Sequence, residues 1–418
     1  MTHYTVHKGL VRRHQTDAEG RLDARGAAAF LIDGAHVCAA LAAVDDAADA
    51  PRAAAEPASI ALQRGDAPVP RIGEVLRCER LAPAAGDATA TLRLALAGEG
   101  GIAWTASLQC DAASTLPRDA ALLPKAAEGI PAAGLMRRMH AEHCDQAGHV
   151  NVQVYLDLVD ESVGIWCRER ADVSPRLHVV QARVSFKSEL FCGDVVSVHS
   201  GVVAFDAHGV EMVHGIVHQP SGRLACVVET QLAALDAEGR AVDHGWPAAF
   251  LEGVPVQPWP GLPLARALAA PRAGEAPGGA SFATCQTVID TWDADADGWM
   301  QTRALVNLCS AGARQFLAQI GLDAARFTSD NSTVAAVDYA IGLRRRPRLG
   351  ANLGMRSTPL AVAGKVIRFA HHLVDSQSGE IHATVEIVGV MLDLAAHRSA
   401  EVPPDVRERL EALLARAS

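Results

Sequence analysis

The sequence lacks the features that mark exported proteins, membrane proteins and nucleic-acid-binding proteins. Its first residues, MTHYTVHKGLVRRHQTD, contain no apolar core of a signal peptide, and no run of about 18 apolar residues occurs in the chain. The 38 lysines and arginines are outnumbered by 48 acids, so the net charge of −10 disfavours binding to nucleic acid or to a membrane surface. We therefore expect a cytoplasmic globular protein without a nucleic-acid or membrane partner.

Motifs for metal and nucleotide chemistry are also missing. The nine cysteines are scattered without a C-x-x-C pair, so we expect reduced thiols and no zinc site. No P-loop, G-x-G-x-x-G, G-x-S-x-G or H-E-x-x-H sequence occurs, which removes the usual motifs of nucleotide-dependent enzymes, serine hydrolases and zinc proteases. The segment DADADG at 293–298 resembles the start of a calcium loop, but Ala304 stands where that loop needs a bidentate acid. We expect neither a metal nor a cofactor.

What the chain does contain is one pattern in three copies. Its 418 residues, 49% of them hydrophobic, exceed one ordinary core and predict several domains. An acid followed three positions later by glycine, and then by a long apolar segment, begins at each of three aspartates: Asp17, Asp145 and Asp295. The same spacing at Asp206 and Asp236 lies in predicted turns, so the setting of the motif carries the prediction rather than the spacing.

The setting of the three copies is alike. A strand-like run precedes each acid, and the segment after the glycine is apolar on most sides, as expected of a helix enclosed by a sheet. A second glycine turn and antiparallel strand patterns follow, most clearly in VVSVHSGVVAF, VEMVHGIVH and RLACVVETQLAAL. This order predicts an α+β fold with domains at 1–115, 130–238 and 280–398. The Pro/Gly/Ala-rich segment 239–279 is a predicted linker, and 399–418 is a predicted C-terminal helix.

A strand, a long helix and a meander in this order resemble the hotdog fold. The middle copy resembles the acyl-CoA thioesterases of that fold, the 4-hydroxybenzoyl-CoA thioesterase-like family. That family has an acid, two residues, glycine, usually His-Val-Asn-Asn, and then a tyrosine and an acid along the helix. Here the motif reads DQAGHVNV from Asp145 to Val152, with Tyr155 and Glu161 farther on. Val152 replaces the family's second asparagine.

The resemblance implies three tandem hotdog domains, each an antiparallel sheet wrapped around a long central helix. The outer copies resemble the fold more than the motif. Arg21 and Trp299 replace the histidine, while Asp23 and Gln301 replace the asparagine. The middle domain is therefore the one expected to hold the best site.

The resemblance also implies catalytic groups. Asp145 would attack the thioester carbonyl or activate water, and the backbone N–H of Val152 would polarise the carbonyl. Glu161 would act from a facing domain, and Asp295 is the candidate acid of the third copy. Asp145 also fits a helix cap or turn, and Glu161 also fits a structural carboxylate.

Further residues are expected to contact the substrate. The resemblance implies that part of the motif shapes the site: Gly148, His149, Asn151 and Tyr155. The basic loop RRRPR would hold the phosphates of coenzyme A through four side chains: Arg344, Arg345, Arg346 and Arg348. Structural alternatives remain for these residues. The histidine and asparagine also suit caps, the tyrosine suits the core, and the arginines suit a solvated loop.

The predicted function is hydrolysis of an acyl-CoA thioester to the free acid and coenzyme A. An acyl-ACP thioesterase and a non-catalytic acyl-CoA-binding or scaffolding protein remain as alternatives, and the sequence does not define the acyl group. Three domains cannot all pair within one chain, and an unpaired sheet edge is usually covered. The shorter connector favours pairing of the first and second domains. The third would then pair with its twin in a homodimer, with RRRPR near a cleft.

Overall fold

The structure is a computed structural model. It describes residues 4–10, 15, 21–42, 59–71, 75–80, 91–109, 133–145, 148–169, 177–206, 209–219, 221–243, 281–396 and 398–415. Asp17, most of the predicted linker 239–279 and the second-glycine turn of the first copy lie outside these residues.

The described residues form helices and antiparallel strands in an α+β arrangement. The helices are α1 Ala24–Ala42, α2 Val152–Arg168, α3 Thr302–Gln319, α4 Ala324–Ser329 and α5 Pro404–Ala415, with a short 3-10 helix at Ala141–His143. The strands are β1 Tyr4–Leu10, β2 Ser59–Arg64, β3 Val75–Arg80, β4 Thr91–Gly98, β5 Gly101–Gln109, β6 Ala133–Arg138, β7 His178–Phe186, β8 Val195–Asp206, β9 Gly209–His218, β10 Arg223–Leu235, β11 Ala241–Val242, β12 Phe282–Val288, β13 Ser332–Leu343, β14 Asn352–Ala363, β15 Val366–Asp375, β16 Ile381–Asp393 and β17 Arg398–Ser399.

The strands divide into three groups with the same order. We call β1–β5, β6–β10 and β12–β16, each with the long helix that follows its first strand, the first, second and third strand groups. In each group the first strand pairs with the third, the third with the fourth, the fourth with the fifth, and the fifth with the second, always antiparallel. Within the described residues the groups join edge to edge, so a single sheet runs from β2 to β12.

The joints between groups differ from the sequence-based expectation. The second and third groups pair through β7 and β13, over five positions from Asp338↔Ser185 to Gly342↔Gln181. Among the described residues, the strands of the first and second groups pair at one position, Lys8 of β1 with Met136 of β6. The prediction that the first and second domains pair, leaving the third free, was therefore wrong. A long connector limits how far two domains can separate, but edge complementarity decides which strands join.

The core follows the same division. One apolar cluster runs through the second and third groups and includes residues of α2, α3 and α5. The first group has a separate cluster, to which the second group contributes Met136 and Val195. Helix α2 is buried on most sides, because apolar residues occupy nearly its whole circumference and it packs against α3. Helix α2 therefore lies at the junction of two groups.

Within the described ranges, none of the helices has the length and apolar character that crossing a membrane requires.

Candidate functional site

The Asp145 turn leads into α2. Asp145 is exposed, and its Oδ1 accepts the His149 N–H at 3.0 Å while its own N–H donates to the His149 carbonyl at 2.8 Å. Gly148 closes the turn with φ +82°, a left-handed conformation that glycine adopts without strain. The local hydrogen bonds of Asp145 are thus those of a turn residue, which is the structural alternative to its catalytic role.

Two other aspartates make the same turn. The Oδ1 of Asp295 accepts the N–H of Trp299 at 2.9 Å, and the Oδ1 of Asp236 accepts the N–H of Arg240 at 2.8 Å. In both, the glycine at the third position has a positive φ: +82° at Gly298 and +85° at Gly239. The turn alone therefore does not distinguish a site, as expected from the sequence. Of these three turns, those at Asp145 and Asp295 precede a long helix.

Helix α2 begins without a side-chain cap. Asn151 is its N-cap residue, and no hydrogen bond joins its side chain to the first turn. Its backbone N–H donates to the His143 carbonyl at 2.9 Å, and its carbonyl accepts the Val154 N–H at 2.9 Å. Among the described residues, no hydrogen bond to the Val152 N–H is found. The first N–H groups of a helix have no partner within the helix, so this donor is available to a ligand.

The equivalent N–H at the start of α3 is occupied. Thr302 donates to Asp160 of α2 through its backbone N–H and through its hydroxyl, both at 2.9 Å. The carboxylate thus lies where an anion or a polarised carbonyl oxygen would bind at a helix N-terminus. Burial raises the pKa of Asp160 to about 6, against the opposing effects of Arg346 and of the Thr302 hydrogen bonds.

Arg346 lies beside this carboxylate. The guanidinium is 4% exposed and donates to the carbonyls of Met300 and Val179, and its Nη2 lies 3.5 Å from the Thr302 hydroxyl. Burial lowers the pKa of Arg346, while Asp160 and Asp295 oppose the shift. The arginine therefore connects β7 of the second group to the N-terminus of α3, where it balances the charge of the partly buried Asp160.

Asp295 faces the second group. Its Oδ2 lies 3.7 Å from Nδ1 of His178, at the start of β7. The His178 ring meets the Trp299 ring edge-on, with centroids 6.4 Å apart. The structure therefore brings Asp295 into the same neighbourhood as Asp160 and Arg346.

The observed contacts of Glu161 and Tyr155 differ from those that their predicted roles require. Glu161 is 3% exposed and forms a salt bridge with Arg137 of β6, within its own group, which fits the structural alternative better than action from a facing domain. Tyr155 is 3% exposed and packs edge-on against Phe186 at 5.1 Å, and burial raises its pKa. Its position fits the core alternative.

His149 remains near the surface. Its ring packs edge-on against Phe191 at 5.1 Å, and its Nε2 lies 3.9 Å from an Oε2 of Glu189. The side chain is 40% exposed, so the ring is accessible beside the Asp145 turn.

The basic loop splits into two kinds of arginine. Burial of Arg346 leaves it no surface for a phosphate, and Arg345 is engaged by Glu380 at 3.0 Å and by the Glu238 carbonyl at 2.7 Å. Arg344 and Arg348 are exposed, with the Arg348 guanidinium 4.1 Å from the centre of the Trp299 ring. The prediction of phosphate binding thus rests on the exposed pair.

The sequence did not single out Asp160, Thr302 or His178. A usable signal was present, because α2 carries Asp157, Asp160 and Glu161 although its apolar pattern predicts burial on most sides. Buried acids need partners, so their presence predicted ion pairs or a polar site along this helix. Asp157 has such partners in Arg137 at 3.0 Å and Arg303 at 3.5 Å. No group of three His, Cys, Asp or Glu able to hold a metal ion occurs in the part of the chain that the structure describes.

Antiparallel strands in this order, with an acid turn before a buried helix, define a hotdog thioesterase-like fold. The model of the Thioesterase-like superfamily matches residues 139–268 and 289–410, more than half of the chain. The chain therefore belongs to the thioesterase-like superfamily, which confirms the resemblance noted in the sequence. The two matched regions cover the second group from just after β6 and the third group from just after β12, and they do not include the first group.

Several solved structures share similarity with the chain. An acyl-ACP thioesterase from Bacteroides thetaiotaomicron is 11% identical, with a TM-score of 0.45 over 61% of this chain and 96% of that one. A 12:0-ACP thioesterase from Umbellularia californica is 11% identical, with a TM-score of 0.41 over 62% and 93%. A Staphylococcus aureus protein in complex with CoA is 13% identical, with a TM-score of 0.32 over 34% and 90%. No curated protein matches the chain.

Proposed function

We propose that this chain hydrolyses acyl thioesters at a site formed by the Asp145 turn and the N-terminus of α2. The observation that supports it is the difference between two equivalent helix starts. The Thr302 N–H is held by Asp160 at 2.9 Å, whereas no partner of the Val152 N–H is found among the described residues. A fixed N–H that is free to donate stabilises negative charge as it develops on a carbonyl oxygen. Helix α2 is therefore the one available to polarise a thioester.

The proposed reaction uses groups of the chain and water. Asp145 attacks the carbonyl carbon or removes a proton from the water that attacks it, while the Val152 N–H donates to the carbonyl oxygen. When water attacks, its oxygen bonds to the carbonyl carbon, the carbon–sulfur bond breaks, and the proton that Asp145 took from water passes to the leaving thiolate. When Asp145 attacks, the carbon–sulfur bond breaks to give an acyl anhydride on Asp145, and water then hydrolyses it to the free acid and supplies the proton that the thiolate takes up. Gly148 and His149 lie in the same turn as the acid, Asn151 is the N-cap residue of α2, and the reaction requires no cofactor.

The proposed carrier of the acyl group is coenzyme A. Arg344 and Arg348 are the exposed cations of the basic loop, and they are the proposed contacts of its phosphates. An acyl carrier protein is the alternative carrier, since it presents the same thioester on a phosphopantetheine arm.

The proposal includes an architecture and an assembly. Three tandem hotdog domains, each around its long helix α1, α2 or α3, are supported by the common strand order. A cytoplasmic homodimer through β2 is also proposed. β7 and β13, the second strands of their groups, pair with each other, whereas β2 has a neighbour on one side only among the described residues.

A substrate panel tests the proposed function. Purified protein is incubated with acyl-CoA and acyl-ACP thioesters of different chain lengths, and the released thiol is measured with a thiol reagent. We expect release from at least one thioester, at a rate that saturates with its concentration. Saturable binding of acyl-CoA without thiol release would instead identify a non-catalytic binding protein.

A further inference from the structure

A contact links the first strand group to the Asp145 turn. Nε2 of His140, just after β6, lies 2.8 Å from Oδ1 of Asp33 on α1. Both side chains are partly buried, with 34% of His140 and 19% of Asp33 exposed. The hydrogen bond to Asp33 raises the pKa of His140, so the pair is an ion pair over a wider range of pH.

His140 is in turn connected to the proposed acid. Its N–H donates to Nδ1 of His143 at 3.1 Å, and its carbonyl accepts the His143 N–H at 2.9 Å and the Cys144 thiol at 3.4 Å. The carbonyl of His143 then accepts the Asn151 N–H at 2.9 Å. Asp145 follows Cys144 directly. A displacement of His140 therefore moves the acid and the start of α2 together.

No equivalent of this contact is found for the third strand group within the described part of the chain. Asp290 occupies the position of His140, is exposed, and accepts the Trp292 N–H at 2.7 Å within its own turn. The rest of the turn is conserved in geometry, since the Gln301 N–H donates to the Asp293 carbonyl at 2.8 Å. The His140–Asp33 contact is therefore a feature of the Asp145 turn and not a requirement of the fold.

We propose that Asp33 is a positioning residue for the Asp145 site, acting from the first strand group through His140. This inference rests on the proposed function. Asp33 touches no substrate, and its effect is to hold the 140–144 turn so that Asp145 and the Val152 N–H keep their relative positions. It assigns a role to the first strand group, which the superfamily model does not match.

The charge on His140 depends on the groups that face it. Asp33 and Glu142 favour the protonated ring, whereas Arg138 and burial disfavour it, and the His143 ring lies edge-on at 5.4 Å. Because the pKa is raised above 6.5, the ion pair is fully present below that value and is lost as pH rises through the folded pKa. We therefore expect the pH profile of kcat to have an alkaline limb, in which kcat falls as His140 loses its proton.

The Asp33→Asn variant tests the proposal. We expect kcat to fall about fivefold with KM changed by less than about twofold. The reason is that the variant loses the relative positions of Asp145 and the Val152 N–H in the transition state, whereas the groups that bind the substrate are unchanged. The alkaline limb of kcat should move to lower pH, because the group that raises the His140 pKa is gone. Asp33→Glu keeps the charge and should retain more of kcat than Asp33→Asn.

Glu169→Gln is the matched control. It removes the negative charge from the 3.4 Å contact between Glu169 and Arg77 of the first group, at the opposite end of α2 from the Asp145 turn. We expect this variant to keep the wild-type kcat and pH profile. Equal losses of kcat and Tm in Asp33→Asn and Glu169→Gln would show that the first group gives only general support, and the proposal would be overturned.

Amide hydrogen exchange separates this proposal from the proposed function. Asp33→Asn should accelerate exchange across 140–152, while the equivalent segment 290–302 should exchange as in the wild type. Unchanged exchange at 140–152 would overturn the coupling even in an active enzyme. If the wild type releases no thiol, the proposed function fails, and the exchange difference still decides whether Asp33 holds this turn.

Discussion

At the scale of single residues, Asp145 and Asp236 form turns of the same type, but only Asp145 is proposed to take part in catalysis. Asp145 and Asp236 accept the same hydrogen bond from the backbone four residues on, at 3.0 and 2.8 Å. Only Asp145 stands before a long helix. Asparagine at either position retains the accepting oxygen, so the turn should persist while the negative charge is lost.

We expect Asp145→Asn to lower kcat by about a hundredfold or more, equivalent to about 3 kcal/mol in the barrier. Asp236→Asn, the control, should keep the wild-type kcat. Steady-state kinetics and circular dichroism on both variants provide the check. Full activity in Asp145→Asn would contradict the assignment of this carboxylate and favour the binding-protein alternative.

The shifted pKa of Asp160 predicts a pH dependence of stability. Its folded value of about 6 exceeds the ordinary 3.8, so between these values the folded protein binds more protons than the unfolded chain. The contribution of Asp160 to the free energy of unfolding is therefore present at low pH and is lost as pH rises through that window. Asp160→Asn has no proton to lose, and its urea midpoint should fall less than the wild type's between pH 4.5 and 7.5. The same decrease in both proteins would contradict this account.

Sequence reasoning reached the D-x-x-G turns but not Asp160. The turn is a local structure, because glycine with positive φ and an aspartate side chain define it within five residues. The Asp160–Thr302 contact joins residues far apart in sequence, so local patterns contain no information about it. The acids of α2 indicated that partners exist without identifying them.

At the scale of elements, the two helix starts predict unequal roles for two acids. Asp295 precedes α3, whose first N–H already donates to Asp160 at 2.9 Å. We expect Asp295→Asn to reduce kcat less than about threefold, because no donor is available there for a carbonyl oxygen. Steady-state kinetics of Asp295→Asn and Asp145→Asn, measured side by side, test this ranking of the two acids. Loss of turnover in Asp295→Asn alone would place the working site in the third group.

The strands were the most predictable elements. The segments VEMVHGIVH and RLACVVETQLAAL agree with β9 and β10 to within one residue, because turn residues end each alternating run. Their pairing partners beyond the hairpin were less predictable. Connector length suggested that the first and second groups join, yet the β7–β13 joint carries Arg183 and Asp338 at 3.6 Å and the Phe186 and Tyr339 rings, which meet edge-on. These side-chain contacts form only after the edges meet.

At the scale of the whole molecule, the sheet predicts an assembly. Among the described residues β2 and β12 are the end strands, and β2 corresponds to the strands that pair at the β7–β13 joint. We expect a homodimer through β2, so light scattering should give twice the 43.9 kDa mass of the chain. Replacing Leu62 of β2 by proline, which removes a backbone donor, should produce a monomer. A fully active wild-type monomer would contradict the expected dimer.

The core shared by the second and third groups has a consequence for biosynthesis. A ribosome completes β7 about 150 residues before it completes β13, on the order of ten seconds at roughly 5–20 residues per second. During that interval the nascent chain presents the β7 edge, and the apolar face of α2 that packs on α3, without their native cover. Such surfaces bind chaperones and other nascent chains. The yield of native protein should therefore depend on how quickly translation proceeds through the segment between these two strands.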